Sequence, residues 1–564
     1  MNDIPRPEHP NPQWQRANWR NLNGEWEFDF DFGSSGEARG LHQAERLPLR
    51  IQVPFCPESE LSGIGFKDFM QAVWYRRTVE IGEKELQGRV FVRFGAVDYE
   101  ATLWVNGAEA GRHEGGYTPF GFDITPLLRP GENSLTLRAR DDTRNPLTCS
   151  GKQSERYESH SCLYTRTTGI WQTAWLEFLP ASYIVSAKYR PDPENSCLHI
   201  YAQVKGRGAL QAKAFWEDAP MGEARATVSG ESVTLTLPLA ESHLWEPGAG
   251  GLYDLILSFG EDEVRSYFGL RSLRLDGYRF LINEKSVFQR LVLDQGFYPD
   301  GIYTAPSDAA LERDILLSRA AGFNGARLHM KVFEARFLWH ADRLGYICWG
   351  EFPNWGGDAR DPRLLHKFLP QWSEAMERDY NHPAIVGWCP YNETPDDQLA
   401  SNIAEIYKIT KRLDPDRPCI DTSGYVHTGS TDIFCVHNYE QDVRRFSDCF
   451  ENFGEDDAFH DHKWQVQQYP GKLPMFVSEY GGIGWDTRDG WGYGNAPKTE
   501  EEYKARYKGL TDALLDNPKM FGFCYTQLTD VEQERNGVYT YDRKAKFAPE
   551  FFREVNERKA KIEE

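Results

Sequence analysis

The chain has 564 residues, 40% of them apolar and 26% charged, which is an ordinary globular composition with room for three or four domains. Its 64 basic and 85 acidic residues leave a net charge of −21, which argues against a nucleic-acid partner or an anionic membrane surface, because both require clustered Lys and Arg. No run of 18 apolar residues occurs, so nothing reads as a membrane span. The opening residues lack a basic stretch followed by an apolar one, and the ten cysteines show no C-x-x-C spacing. A cytoplasmic location is the expectation.

From residue 20 to about 270 the chain alternates apolar with polar residues in short runs broken by Gly, Asn, Asp and Pro. Examples are 73-VWYRRTVEI-81 and 89-RVFVRFGAV-97. This is the signature of antiparallel sheet. The pattern breaks near 171-WQTAWLEFLP-180, and residues 181–268 carry a second series the size of an immunoglobulin-like sandwich. Residues 1–180 are therefore read as a β-sandwich and 181–271 as a second, smaller one.

After residue 272 strands alternate with helices. The expected strands are 288–293, 323–329, 346–351, 384–392, 418–421, 432–437, 474–479 and 520–526, with helices such as 308–321 and 500–515 between them. Eight such units over 272–564 make a (β/α)8 TIM barrel, with the fifth and sixth connections the least helical. In that fold the active site lies at the C-terminal ends of the strands.

Two carboxylates fall at those ends. Glu393 follows strand four in 388-WCPYNET-394, and Glu479 ends strand seven in 476-FVSEYGG-482. Glycoside hydrolysis needs such a pair, one group to protonate the leaving oxygen and one to attack carbon or activate water. A separation of about 5–5.5 Å gives retention through a covalent intermediate, and about 6.5–9.5 Å gives inversion.

At these segments the chain resembles glycoside hydrolase family 2, the β-galactosidase and β-glucuronidase family. The Asn-Glu at 392–393 and the S-E-[FY]-G-G form at 478–482 carry the resemblance, and 22-LNGEW-26, 94-FGAVDYEATLWVNG-107, 169-GIWQTAWLE-177 and 267-YFGLRS-272 extend it over nearly the whole chain. The first sandwich is then a sugar-binding-type, jelly-roll-like domain. The resemblance implies a retaining exo-β-glycosidase with Glu393 as general acid/base and Glu479 as nucleophile. It further implies that Asn392 bonds the sugar 2-OH and that Tyr439 holds the nucleophile. Asp294 and Glu351 are candidate ligands of sugar hydroxyls, Arg327 and His329 candidate electrostatic supports. Trp355, Trp485 and Tyr525 are candidate stacking surfaces.

The chain departs from the family around strand two, where 327-RLHMK-331 replaces an Arg-Thr-Ser-His-Tyr-Pro-like segment. After strand eight it lacks the Asn-x-Lys pair that grips a sugar carboxylate in the glucuronidase branch, and Asn517-Pro518-Lys519 belongs to the opposite face. A neutral sugar, galactose first, is the expectation, with β-glucuronidase, β-galacturonidase, β-mannosidase and α-L-arabinopyranosidase as alternatives. A binding protein without catalysis is the rival of another class. Asn392-Glu393-Thr394 matches a glycosylation sequon by accident of composition. Some larger relatives use Mg²⁺, but no metal or other cofactor is expected here. The expected partner is a carbohydrate, and a homo-oligomer is left open. The long connection 440–472 is expected to cover the mouth and shape specificity.

Overall fold

The computed structural model describes residues 4–451, 471 and 473–564. The alternating runs at Ala72–Ile81 and Gly131–Arg140 form the centre of a six-stranded antiparallel sheet, paired from Gly131↔Ile81 to Arg140↔Ala72. A four-stranded sheet, Trp19–Asn21, Ala174–Leu179, Arg89–Phe94 and Phe120–Asp123, faces it. Trp26, Phe28, Tyr75, Phe94 and Leu137 fill the space between. Fully burying one such large side chain is worth about 1.5–3 kcal/mol, which explains the aromatic content of this half.

A smaller sandwich follows, with Tyr183–Asp192, Cys197–Lys205 and Ser232–Pro238 on one side and a four-stranded sheet from Ala209–Trp216 to Asp262–Phe268 on the other. Arg16 ties the two sandwiches. Its buried guanidinium donates to Glu177 at 2.9 Å and to Asp262 at 2.8 Å.

The C-terminal half is the (β/α)8 barrel. Its strands are β1 (Gln289–Asp294), β2 (Gly325–Leu328), β3 (Ile347–Glu351), β4 (Ile385–Cys389), β5 (Thr422–Ser423), β6 (Phe434–Asn438), β7 (Met475–Gly481) and β8 (Met520–Thr526). A parallel ladder runs β4-β3-β2-β1-β8-β7-β6. Strand β5 joins through Tyr391–Asn392, the extension of β4. It starts later than the sequence pattern suggests, because the 418–421 stretch meets β4 only at a Trp388↔Cys419 bridge. Leu291, Ile347, Trp349, Phe476 and Cys524 fill the barrel. Phe280 and Ile282, from a small antiparallel sheet, join that cluster.

The helices are α1 (Asp308–Ala320), α2 (Ala335–Leu344), α3 (Leu364–Asp379), α4 (Ala400–Leu413), α5 (Val443–Glu451), α6 (Glu500–Leu515) and α7 (Pro549–Asn556). Ser307 caps α1 and Thr499 caps α6, each accepting from a backbone N–H of the first turn. No helix follows β5, while the sixth connection opens with α5. Most of that connection, residues 452–470 and 472, lies outside the described residues, and with it most of the expected cover over the mouth. No helix among the described residues is long and apolar enough to cross a membrane.

The first sandwich reaches the barrel mouth through the loop after Arg140. Ser150 and Gly151 donate backbone N–H groups to Trp355 O at 2.7 and 3.0 Å. Tyr164 donates its hydroxyl to Glu534 at 2.6 Å. One wall of the mouth is thus built from the N-terminal domain.

Candidate active site

Strand periodicity decides which side chains reach the mouth. In β8, Phe523 and Tyr525 join the cluster between strands and helices, whereas Cys524 joins the barrel interior. In β7 the pairing with β6 skips a residue, since Val477 opposes Val436 and Glu479 opposes His437. Ser478 is left as a one-residue bulge, the device that re-aims side chains beside active sites.

Arg327, on β2 and 1% exposed, organises the floor. It donates to Glu479 Oε1 at 3.0 Å, to Ser478 O at 2.7 Å, to Asn392 Oδ1 at 3.0 Å and to Glu351 Oε1 at 2.5 Å. The hydroxyl of Tyr439 donates to Glu479 Oε2, and the Tyr439 ring stacks on Tyr493 with centroids 3.5 Å apart. His437 stands between the two carboxylates, its Nδ1 2.7 Å from Glu393 Oε1 and 3.4 Å from Glu479 Oε2. Its Nε2 meets Ser423 Oγ at 2.9 Å. One oxygen of Glu393, one of Glu479 and a ring nitrogen of His437 all lie within 4.8 Å of one another.

Glu393 has a left-handed backbone, φ 47°, a conformation that costs a non-glycine residue on the order of 1–3 kcal/mol and clusters at functional sites. Its N–H is held by Ser423 O at 2.9 Å. Asn392 is fixed by Asn354, whose Oδ1 accepts from its N–H at 2.9 Å, and by Trp355, whose indole donates to its carbonyl at 3.0 Å. With its Oδ1 bound by Arg327, the buried Asn392 Nδ2 has no acceptor among the described residues and can donate to a ligand.

Burial alone would raise the Glu479 pKa, but the positive charges of His437 and Arg327 and the Tyr439 hydroxyl outweigh it and hold the group below the ordinary carboxylate value. Burial works the other way on His437, and the charge of Glu479 with the contact to Glu393 overcomes it, raising that imidazole above the ordinary value. His329 is driven well below it by burial and by nearby Lys152, so it is neutral.

Four expected site residues have partners within the protein. Glu351 is not positioned as a sugar ligand. It is spent behind the floor on Arg327, on His329 Nδ1 at 3.3 Å and on the Met330 N–H at 3.4 Å. Asp294 accepts from Gly296 N at 2.9 Å, and burial with the charge of Asp314 raises its carboxyl from 3.8 to about 7. Trp485 packs edge-on against Tyr503 and Phe547. Tyr525, fully buried, meets the Tyr503 hydroxyl at 3.1 Å on the outer side of β8. Trp355 is at the mouth, half-buried beside Asn392.

Sequence reasoning missed His437, Ser423, Tyr493 and Lys152. His437 had a signal, since it stands at the end of β6 two residues before Tyr439. Lys152 had none, because it comes from the sandwich. Lys519 lies near the ring of Tyr278 and precedes β8, on the face away from the mouth. Among the described residues two groups have the spacing to hold a cation, Glu393–His437–Glu479 and Asp192–Cys197–His199. In the first, both nitrogens of His437 are already engaged by Glu393 and Ser423.

The sequence profile of the glycosyl hydrolases family 2 sugar binding domain matches residues 61–142, and that of the family's TIM barrel domain matches residues 309–511. A protein of Paenibacillus borealis named β-glucuronidase is 24% identical over 95% of this chain and 96% of its own length. The β-glucuronidase of Pongo abelii is 27% identical over 76% of this chain and 73% of its own. Among solved structures, the Ruminococcus gnavus β-glucuronidase in complex with D-glucuronic acid superposes with a TM-score of 0.79, 18% identity, and coverage of 98% and 100%. With both family domains matched in order along one chain, this protein belongs to glycosyl hydrolase family 2 and is a glycoside hydrolase.

Proposed function

We propose that the chain is a retaining exo-β-glycosidase in which Glu479 is the nucleophile and Glu393 the acid/base, acting first on terminal β-glucuronides. The observation that carries the mechanism is the carboxylate spacing. One oxygen of Glu393 and one of Glu479 lie within 4.8 Å, which favours the short carboxyl separation of retention, about 5–5.5 Å, over the about 6.5–9.5 Å of inversion. The held-down pKa of Glu479 keeps it anionic at neutral pH, as a nucleophile must be.

In the first step Glu479 attacks the anomeric carbon while Glu393 gives its proton to the leaving oxygen. In the second, Glu393 takes a proton from water, which displaces Glu479 from the sugar. The Asn392 Nδ2 donor supports the reading that this residue bonds the sugar 2-OH.

The glucuronide preference rests on the names of the relatives, which are β-glucuronidases rather than β-galactosidases. The galactose expectation came from a missing Asn-x-Lys pair after β8, a sign about one loop, and finds no support among these relatives. One observation still favours a neutral sugar as a second reading. Glu534 and Asn536 follow β8 beside the site, and Glu534 is a carboxyl.

The test is turnover of 4-nitrophenyl β-glucuronide, β-galactoside, β-glucoside and α-L-arabinopyranoside by the wild type, with azide rescue. Glu479→Ala with azide should yield the inverted glycosyl azide, and Glu393→Ala with azide the retained one. The opposite pairing of products would reverse the two roles. Sugar release from none of the four would leave the binding-protein reading in force.

A further inference from the structure

Lys152 is the cation of the mouth that the mechanism above does not use. It is 5% exposed and lies in the loop by which the N-terminal sandwich meets the barrel. Its Nζ stands 4.1 Å from the centre of the Trp355 ring, and Trp355 is the residue that holds the carbonyl of Asn392. Among the described residues, no side chain or carbonyl accepts a hydrogen bond from this ammonium or pairs with it at ion-pair distance. Burial works against its charge, but Cys162, Glu534, Glu393 and Glu479 hold its pKa above the ordinary lysine value, so it remains charged. A buried cation without a contact partner is costly unless a ligand completes it.

The loop is built to keep it there. Lys152 O accepts from Tyr164 N at 2.7 Å, and Gly151 N donates to Trp355 O at 3.0 Å. Gly151 has φ 60°, and a Cβ there would come within 2.7 Å of Met330 O and of Pro353. Only glycine lets the loop lie this close to the barrel. Glu534, the nearby acid after β8, is already engaged, one oxygen by Tyr164 and the other by Asn536.

We propose that Lys152 binds the carboxylate of a uronic-acid substrate, so that the N-terminal sandwich, and not a barrel loop, supplies the charge that selects the sugar. A buried ammonium discriminates a carboxylate from a hydroxymethyl group because only the former brings an opposite charge to the hydrogen bond. The inference rests on the glucuronide reading given above for the same site.

The experiment compares wild type, Lys152→Met and Lys152→Arg on 4-nitrophenyl β-D-glucuronide and β-D-galactoside, with D-glucuronate and D-glucose as competitive inhibitors. Lys152→Met should lower kcat/KM on the glucuronide about 10- to 100-fold, mostly through KM, and weaken D-glucuronate inhibition in proportion while D-glucose inhibition moves far less. Lys152→Arg, which keeps the charge, should recover most of the loss. Should Lys152→Met melt early, Lys152→Gln keeps a polar tip and reads the same comparison. If the wild type cleaves the glucuronide but both inhibitors weaken equally in the variant, Lys152 does not select the carboxylate and the glucuronide reading stands. If the wild type cleaves only the galactoside, the substrate reading fails and the proposal falls with it.

Discussion

His437 Nδ1 lies 2.7 Å from Glu393 Oε1 and 3.4 Å from Glu479 Oε2, so a single ring nitrogen links the expected acid/base to the nucleophile. After burial, its charge is the foremost influence on Glu479 and the one that most holds that pKa down. Glu479 must be ionised to attack, so activity is lost as pH falls through its pKa. Replacing His437 by Gln leaves Arg327 and Tyr439 against an unchanged burial cost, and the pKa rises. The acid limb of kcat/KM against pH should therefore move upward by about one unit or more. An acid limb that stays in place would show that His437 does not set the charge state of Glu479.

Tyr439→Phe removes one hydroxyl from Glu479 and leaves the ring stacked on Tyr493. Because the bond is made to a charged oxygen, kcat should fall about 10- to 100-fold while stability falls by about 1.5–3 kcal/mol. Steady-state kinetics and a urea melt on the same preparation separate the two effects.

Glu351→Ala distinguishes a floor residue from a sugar ligand. It leaves the Arg327 guanidinium, 1–2% exposed in side chain and backbone, short of one of its two carboxylates. Breaking a buried pair in this way costs about 3–5 kcal/mol, which should appear as a lowered urea midpoint together with reduced kcat. A sugar ligand would instead change KM at constant stability.

The barrel, the order of domains and both carboxylates were legible because period-two and period-3.6 patterns are local properties of the chain. Glu393 and Glu479 stood out because strand ends fix their place. What each neighbour does was not legible, because it depends on which strands come together. Glu351 and Asp294 end their strands as Glu479 does, yet Arg327 takes the first, and the second accepts from the Gly296 N–H two residues on. Tyr525 illustrates a different failure. It belongs to a strand that ends at the mouth, but strand alternation turns it outward toward α6, a register that becomes visible only once Cys524 is seen inside the barrel. Lys152 is separated from the carboxylates by more than two hundred residues of another fold, and no periodicity carries across that distance.

The N-terminal wall makes the protein's stability depend on pH. Asp98 and Glu58 are fully buried beneath the loop that carries Lys152, and burial raises both, Asp98 from 3.8 to about 7 and Glu58 from 4.5 to about 7. Gln153, next to Lys152, donates to Asp98 at 2.7 Å, and the Thr168 N–H donates to Glu58 at 3.1 Å, but these bonds do not offset the desolvation. Between about pH 4 and 7 the folded chain binds more protons at these sites than the unfolded one, so the free energy of unfolding falls as pH rises. Stability is fully present below the unfolded values and is lost through the folded ones. The melting temperature should therefore be higher at pH 5 than at pH 8. Asp98→Asn keeps an acceptor for Gln153 and removes one titration, so its curve should be flatter over that window, with the gain on the order of 1 kcal/mol or more at pH 8. Parallel curves for wild type and Asp98→Asn would mean that Asp98 is ionised in the folded protein at neutral pH and that the wall draws its pH dependence from elsewhere.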